Sequence, residues 1–246
     1  MKNKILLVII VGSICLNALG QVYPAKNDST FTFYTEIGIS ASLPQAEFKY
    51  YSGGPNTGYA KPGGGIYVSA KAYQNKFLGY CLNLNATINP ADNSFYDRTN
   101  DTLKADIGMW KNINFSIGPI LYANSENILL ELKLPIGFNT VSRPEVLVYN
   151  YYANSGTINR LYKYTSGHSI GWCVTPEIAM IFKINDNLQL KFFSYYLISN
   201  VTLNYQLIYG DPQTSTSPIT NAVEHEQKIK IRSINAGITC VIKLNK

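Results

Sequence analysis

The sequence predicts an all-β fold, a closed antiparallel up-and-down transmembrane β-barrel of about eight strands, on three observations. Segment after segment alternates apolar and polar residues with period two, as a strand with two unlike faces does. The connections between those segments alternate long, short, long, short, long, short, long. Beyond the N-terminal segment, no apolar run reaches the roughly 18 to 20 residues of a membrane-crossing helix, so any crossing must be made by strands closed on themselves. Period two alone also fits a soluble barrel or sandwich, whose polar face looks at water; a membrane barrel turns its apolar face to lipid and its polar face to a lumen. The connection lengths decide for the membrane barrel, which has short periplasmic turns and longer external loops.

The chain opens Met-Lys-Asn-Lys, continues with an apolar run from Ile5 to Leu16, and reaches Ala18-Leu19-Gly20 before Gln21. A basic start, a short apolar stretch and a small-residue site predict a secretory signal peptide over residues 1–20, cleaved near Gly20/Gln21. The apolar run is too short for an anchor helix, and Gly12-Ser13-Ile14 is a poor context for lipid attachment at Cys15. The full chain carries +6; removing Lys2 and Lys4 leaves 6 − 2 = +4, too mild a balance to argue for nucleic acid. Cys81, Cys173 and Cys240 remain, an odd number without disulfide or metal spacing, and read as small buried residues. The 19 tyrosines, against only 15% charged residues, suit strands with amphipathic aromatics at an interface.

Residues 21–30 form a polar lead-in, and residues 31–246 the barrel domain. The first strand sets Phe31, Phe33, Ile37, Ile39, Ala41 and Leu43 against Thr32, Glu36, Gly38, Ser40 and Ser42, and the Gly- and Pro-containing stretch from Lys49 to Gly63 ends it. A second strand (Ile66, Val68, Ala70, Ala72) and a third (Leu78 to Ile88) form a hairpin around a tight turn at Gln74 to Lys76. After the polar loop from Asn89 to Thr102 comes the clearest hairpin, Asn112 to Thr140, whose second arm alternates Ile128, Leu130, Leu132, Leu134, Ile136 and Phe138 with Glu131, Lys133, Gly137 and Asn139. Val146 to Tyr152 and Leu161 to Tyr164 are expected to extend strands five and six outward as a ribbon. The sixth strand alternates from Ser169 to Phe182. The seventh, Leu188 to about Tyr209, changes its apolar parity between Phe193 and Val201, which predicts a β-bulge. A loop from Gly210 to Glu226 precedes the last strand, Ile234 to Leu244.

With the apolar parity toward lipid, Glu36, Lys71, Glu131, Lys133, Glu177, Lys191 and Lys243 enter the lumen near the periplasmic ends of their strands. Side chains just fill the interior of an eight-stranded barrel, so three acids and four bases at one depth are expected to form a paired network. Such a network is a plug against ion flow; a role in packing alone is the plainer reading. Tyr50, Tyr51 and Tyr59 in the first loop, with Tyr149, Tyr151, Tyr152, Tyr162 and Tyr164 on the ribbon, offer a contact surface for a sugar or protein, or an aromatic girdle. His168 and Ser169 are adjacent and therefore point to opposite faces, whereas a nucleophile and its base must lie within hydrogen-bond reach. His225 has no companion motif. The sequence thus assigns no catalytic residue, and without a phosphate loop, metal-ligand cluster or nucleic-acid motif it implies no cofactor, no metal and no nucleic-acid partner.

The Ile117-Gly118-Pro119-Ile120-Leu121-Tyr122 and Leu134-Pro135-Ile136-Gly137-Phe138 segments, the strand alternation and the terminus Ile234-Asn-Ala-Gly-Ile-Thr-Cys-Val-Ile-Lys-Leu244 resemble the eight-stranded outer membrane β-barrel proteins of Gram-negative bacteria, particularly the porin-like barrels of Bacteroidetes. The resemblance covers residues 31–244 and rests on pattern. The chain departs from it in ending Leu-Asn-Lys rather than on an aromatic residue. It implies residence in the outer membrane, contact with membrane lipid and lipopolysaccharide, handling by the barrel-assembly machinery, and a structural or extracellular-interaction role with a protein or glycan ligand and an occluded lumen. The alternatives it leaves are a narrow pore for small solutes and a lipid A-modifying enzyme, since barrels of this size include a Ser/His hydrolase and a palmitoyl transferase.

Overall fold

The structure, a computed structural model, describes residues 32–49, 58–74, 77–92, 103–152, 157–209 and 222–244. The expected signal peptide and lead-in, Tyr50, Tyr51 and most of the long loops lie outside these residues, as do the side chains of Tyr151 and Tyr152. The strands are β1 (Thr32–Pro44), β2 (Gly63–Tyr73), β3 (Leu78–Pro90), β4 (Leu103–Ile107), β5 (Met109–Asn124), β6 (Ile128–Lys133), β7 (Ile136–Arg143), β8 (Val146–Tyr152), β9 (Thr157–Tyr164), β10 (Gly167–Val174), β11 (Glu177–Lys183), β12 (Leu188–Tyr209) and β13 (Ala222–Lys243). One helical turn, α1 (Ala46–Lys49), follows β1.

These strands make eight staves, because short breaks at Gly108, Pro135, Pro144, Thr165-Ser166 and Thr175-Pro176 interrupt three of them. Proline cannot donate to a ladder, which explains the breaks at Pro135 and Pro176. Their carbonyls still accept from Thr175 and Tyr196 at 3.0 Å each, so the staves stay paired. Every pairing is antiparallel. The circuit runs from β1 through β2 and β3 to β5, divides between β6 and β7, continues into β11 and β10, rejoins at β12, and returns through β13 to β1. Above it β8 pairs with β4 and with β9, so the outward ribbon expected from Val146 to Tyr164 is present. On the other side the turns are tight: Ser125 N donates to Ile128 O at 2.8 Å, and Asn185 Oδ1 accepts from Asn187 N and Leu188 N at 3.0 and 2.8 Å.

The two faces are inverted relative to a water-soluble domain. Ile39 is 72% exposed, Trp172 68% and Ile117 61%, within a belt that continues through Ile66, Phe115, Leu132, Ile178 and Ile238, while Glu36, Asn114, Lys133 and Lys191 are fully enclosed. A contiguous apolar exterior of this kind is unstable in water and matched to hydrocarbon. Along β13 the outward apolar positions run from Ile234 through Ile242 and on to Leu244, about 34 Å of strand at about 3.4 Å per residue. Tilted by about 40°, that covers about 26 Å of depth, close to the roughly 25 Å apolar band of such barrels.

The expected bulge in the seventh strand is absent. β12 pairs with β13 without a register shift from Leu188 to Ile208, and its odd-numbered residues face inward throughout. What changes is the surroundings. Below this level Lys191 faces in and Phe192 out; above it Leu197, Val201, Leu203 and Leu207 fill the interior while Asn200, Thr202 and Asn204 face out. The parity reversal in the sequence marks where the staves leave the apolar belt and take on the ordinary apolar-in, polar-out order.

Candidate functional site

The interior is layered. Just above a buried cluster of Tyr73, Leu129 and Ile181 near the short turns, Glu36 (β1), Lys71 (β2), Glu131 and Lys133 (β6), Glu177 (β11) and Lys191 (β12) meet with fully buried side chains. Alternation turns each inward, and ladder registry sets them at a common depth; Glu177 and Lys133, for example, are direct cross-strand partners. Lys71 lies 2.6 Å from both Glu36 and Glu131. Lys133 reaches Glu36, Glu131 and Glu177 at 3.3, 3.4 and 3.2 Å. Lys191 reaches Glu36 and Glu177 at 2.7 Å each. Tyr67 Oη donates to Glu177 at 2.9 Å and accepts from Lys133 and Lys191 at 3.3 Å each, while Tyr73 Oη donates to Glu131. Three carboxylates and three ammoniums cancel, which is the condition under which burying them is tolerable.

Six of the seven lumen charges named from the sequence therefore converge. Lys243 does not join them. It has the lumenal parity but sits half-exposed at the lower rim, where β13 ends beside Tyr34. The cluster is thus balanced rather than in excess of one base. Periodicity assigns a face, whereas depth depends on registry, and registry leaves Lys243 at the rim. Tyr67 and Tyr73 complete the network without carrying charge, and their lumenal parity on β2 is the sequence signal that marks them among the tyrosines.

Above the ion layer Asn85, Asn114 and Asn139 stand side by side on β3, β5 and β7, with Asn85 Nδ2 donating to Asn114 Oδ1 at 2.9 Å. Above these an apolar core of Trp110, Val141, Leu197, Leu203, Ile229 and Ile231 fills the outer half. The start of the first long loop folds into it. Phe48 of α1 is fully buried with its ring edge-on to Trp110 at 5.5 Å, and Trp110 Nε1 donates to Gly58 O at 2.7 Å. Gly58 and Ala60 donate back to the carbonyls of Glu47 and Phe48 at 2.8 and 2.9 Å. Ala46 and Tyr59, at either side of this insertion, have φ of 48° and 40°, a left-handed backbone costing about 1–3 kcal/mol each that the packing around Phe48 and Trp110 offsets.

Tyr59 is therefore not part of an exposed contact surface. It is 5% exposed, packs toward Trp110 at 6.4 Å, and accepts from Arg143 Nη2 at 3.4 Å. Tyr164 is half-buried beside Tyr162 and Tyr205 at 5.6 and 5.9 Å, and Tyr149 is half-buried on the ribbon. Their burial follows from the apolar-in order above the belt, which an aromatic count does not reveal. Cys81 and Cys173 are buried, Cys240 is half-buried, and all three are free.

His168 and Ser169 face opposite sides of β10, as adjacent strand residues must. Registry gives His168 another serine: Ser142 on β7 is its direct partner, and Ser142 Oγ lies 2.8 Å from His168 Nδ1 on the outer face. Nothing local in the sequence marks residues 26 apart as neighbours. Among the described residues no group of His, Cys, Asp and Glu is arranged to hold a metal ion.

No protein-family model and no curated protein matches the chain. Among solved structures it is similar to Neisserial surface protein A (13% identity, TM-score 0.46, 86% of this chain and 97% of that one) and to a major outer membrane protein from Thermus thermophilus (9%, 0.49, 87% and 100%). It is also similar to the outer membrane protease OmpT from Escherichia coli (8%, 0.48, 89% and 100%). At these identities and scores they carry neither substrate nor activity to this chain. What the chain itself has is an antiparallel eight-stave β-barrel with a lipid-matched exterior and a filled interior.

Proposed function

We propose that this is an integral outer membrane barrel whose lumen does not conduct, and whose role is structural and interactive, exercised through the ribbon and loops that stand above the apolar belt. The observation that carries this reading is the neutral six-charge network of Glu36, Lys71, Glu131, Lys133, Glu177 and Lys191, fully enclosed across the lumen. An ion crossing this layer would have to separate buried pairs, which costs several kcal/mol for each charge left uncompensated. The apolar core around Trp110 and Phe48 is a second barrier. Membrane lipid and lipopolysaccharide surround the belt, the barrel-assembly machinery inserts it, and the external ligand is a protein or a glycan. The narrow-pore alternative requires both barriers to open.

Planar-bilayer recording of the purified, folded protein tests this. No unitary conductance is expected; steady channels would sink the reading in favour of solute transport. Fractionation of cells producing the protein checks the location, with the barrel expected in the outer membrane.

One observation favours a second reading. The Ser142 and His168 pair has the distance of a nucleophile and its base, and it lies on the outward face just above Ile170 and Trp172, at the level of an acyl-chain interface. Among the described residues no carboxylate is seen to orient His168, and a hydrogen-bonded pair at a strand rim needs no further role. Ser142→Ala is expected to leave the lipid A acylation pattern unchanged by mass spectrometry; a changed pattern would establish the lipid-modifying enzyme instead.

A further inference from the structure

The outward face of β13 changes character at Ile234, where the apolar belt ends. The next three outward positions toward the ribbon are Arg232, Lys230 and Lys228. Their cross-strand partners on β12 are Ile198, Asn200 and Thr202. At about 3.4 Å per residue and a tilt of about 40°, Lys230 and Lys228 stand about 10 and about 16 Å above Ile234. Lys228, Lys230, Asn200 and Thr202 line a groove of about 310 Å³ on this face, together with Glu47 of α1.

Apart from Glu47, the polar side chains lining this groove present donors. Arg232, at its foot, donates through Nη1 to Ser199 O and Ile231 O at 3.0 Å each, and through Nη2 to Asn200 Oδ1 at 3.3 Å. A guanidinium can only donate, so this contact takes up the acceptor of Asn200 and leaves its Nδ2 to donate. Lys230 meets Glu47 at 2.8 Å and Lys228 meets Glu226 at 3.6 Å. Both pairs are exposed to solvent and therefore weak, and an ammonium bonded to one carboxylate keeps further donors. Two ammoniums, an amide and a hydroxyl at cross-strand spacing are suited to the oxygens of a phosphate.

The position selects what carries that phosphate. The groove opens sideways, on the same face as the belt, with Ile198 and Ile234 just below it. A lipid whose chains lie against these isoleucines brings its head to the basic ladder. The headgroup layer of a plain phospholipid leaflet is about 5–8 Å thick, which reaches Arg232 and stops short of Lys228. The sugar head of a phosphorylated glycolipid extends further.

We propose that the outward groove between β12 and β13 binds the phosphorylated sugar head of an outer-leaflet glycolipid, with Lys228 and Lys230 on phosphate oxygens. The proposal deepens the reading of an outer membrane barrel that acts above its belt, and it rests on that reading. Conductance, or a location other than the outer membrane, would overturn the reading, whereas a folded protein that binds no lipid overturns only this site.

The test is native mass spectrometry of the full folded protein released from micelles. The probes are bisphosphorylated lipid A, dephosphorylated lipid A, phosphatidylglycerol and inorganic phosphate. A one-to-one adduct with bisphosphorylated lipid A is expected, at least tenfold tighter than with either other lipid, and no saturable adduct with inorganic phosphate. Lys228→Gln and Lys230→Gln should each weaken it at least fivefold. Lys111→Gln, the same charge change on the outward face of β5 across the barrel, should leave it within twofold. Glu47→Gln releases Lys230 and should tighten binding about threefold, and Thr202→Asp, which sets an acid in the groove and spares both lysines, should weaken it. Equal binding of dephosphorylated lipid A would assign the adduct to the belt, equal binding of phosphatidylglycerol to any anionic lipid, and equal binding of inorganic phosphate to the free ion. Each of these overturns the proposal, as do an equal loss in Lys111→Gln, weaker binding in Glu47→Gln, or unchanged binding in Thr202→Asp.

Discussion

Glu36 meets the ammoniums of Lys71, Lys133 and Lys191 at 2.6, 3.3 and 2.7 Å. Glu36→Gln keeps its shape, removes its charge, and leaves three buried lysines facing two carboxylates. Breaking a buried ion network on one side costs about 3–5 kcal/mol, because the remaining charge is stranded rather than because the lost attraction was large. With a urea slope of about 3 kcal/mol/M, the unfolding midpoint should fall by about 1–1.7 M. Lys191→Met alone strands a carboxylate and should cost about as much. The double variant Glu36→Gln with Lys191→Met restores equal numbers of acids and bases, so its loss should be smaller than the sum of the single losses by about 2–3 kcal/mol. The assay is urea unfolding of the refolded barrel in micelles, followed by tyrosine and tryptophan fluorescence and by the gel mobility of the folded band. Single losses below about 1 kcal/mol, or losses that simply add, would refute the claim that charge balance across the lumen holds this layer together.

The level of the membrane can be probed from outside. Ile117→Arg puts a charge within the belt and should cost about 2–4 kcal/mol if Ile117 lies near midplane, whereas Asn200→Arg, above the belt, should cost about 0–1 kcal/mol in the same unfolding assay; equal costs would contradict the boundary read from β12. Gly137 packs its α-carbon against the neighbouring ladder, and an added Cβ would meet the Phe115 carbonyl oxygen and, at 2.6 Å, Ser116 Cα; Gly137→Val should destabilise the barrel by at least about 1–3 kcal/mol by forcing β5 and β7 apart. Above the membrane, burial first, and then the neighbouring Tyr162 and Tyr205, push the Tyr164 hydroxyl up to about 12 from its ordinary 10. Since the folded pKa is the higher one, its contribution to stability is fully present below pH 10 and is lost as the pH climbs to 12. Tyr164→Phe should flatten that part of the stability profile measured by unfolding at each pH.

Much of the architecture was legible in the sequence because a strand writes its two faces into every second residue. The eight staves, the outward leucine face of the Asn112 to Thr140 hairpin, the tight turns on one side and the inward direction of Glu131 and Lys133 all follow from that local period. The reversal within β12 was present in the sequence too. Apolar parity alone cannot distinguish a strand that bulges from a straight one that crosses from lipid into water, and β12 is the straight one. In the sites, the same limit applies. Local alternation names the residues that face the lumen, while their depth is set by registry between strands that are far apart in the chain.

Local alternation suffices for a barrel, its lipid-facing belt and the chemical content of its interior, since each depends on the order of neighbours along one strand. The folded barrel adds that six charges close into a neutral layer while Lys243 stays at the rim, that Phe48 and Tyr59 fold into the mouth, and that Ser142 rather than Ser169 meets His168. Each of these is set by ladder registry and by closure of the sheet, which bring together residues whose separation in the chain carries no period at all.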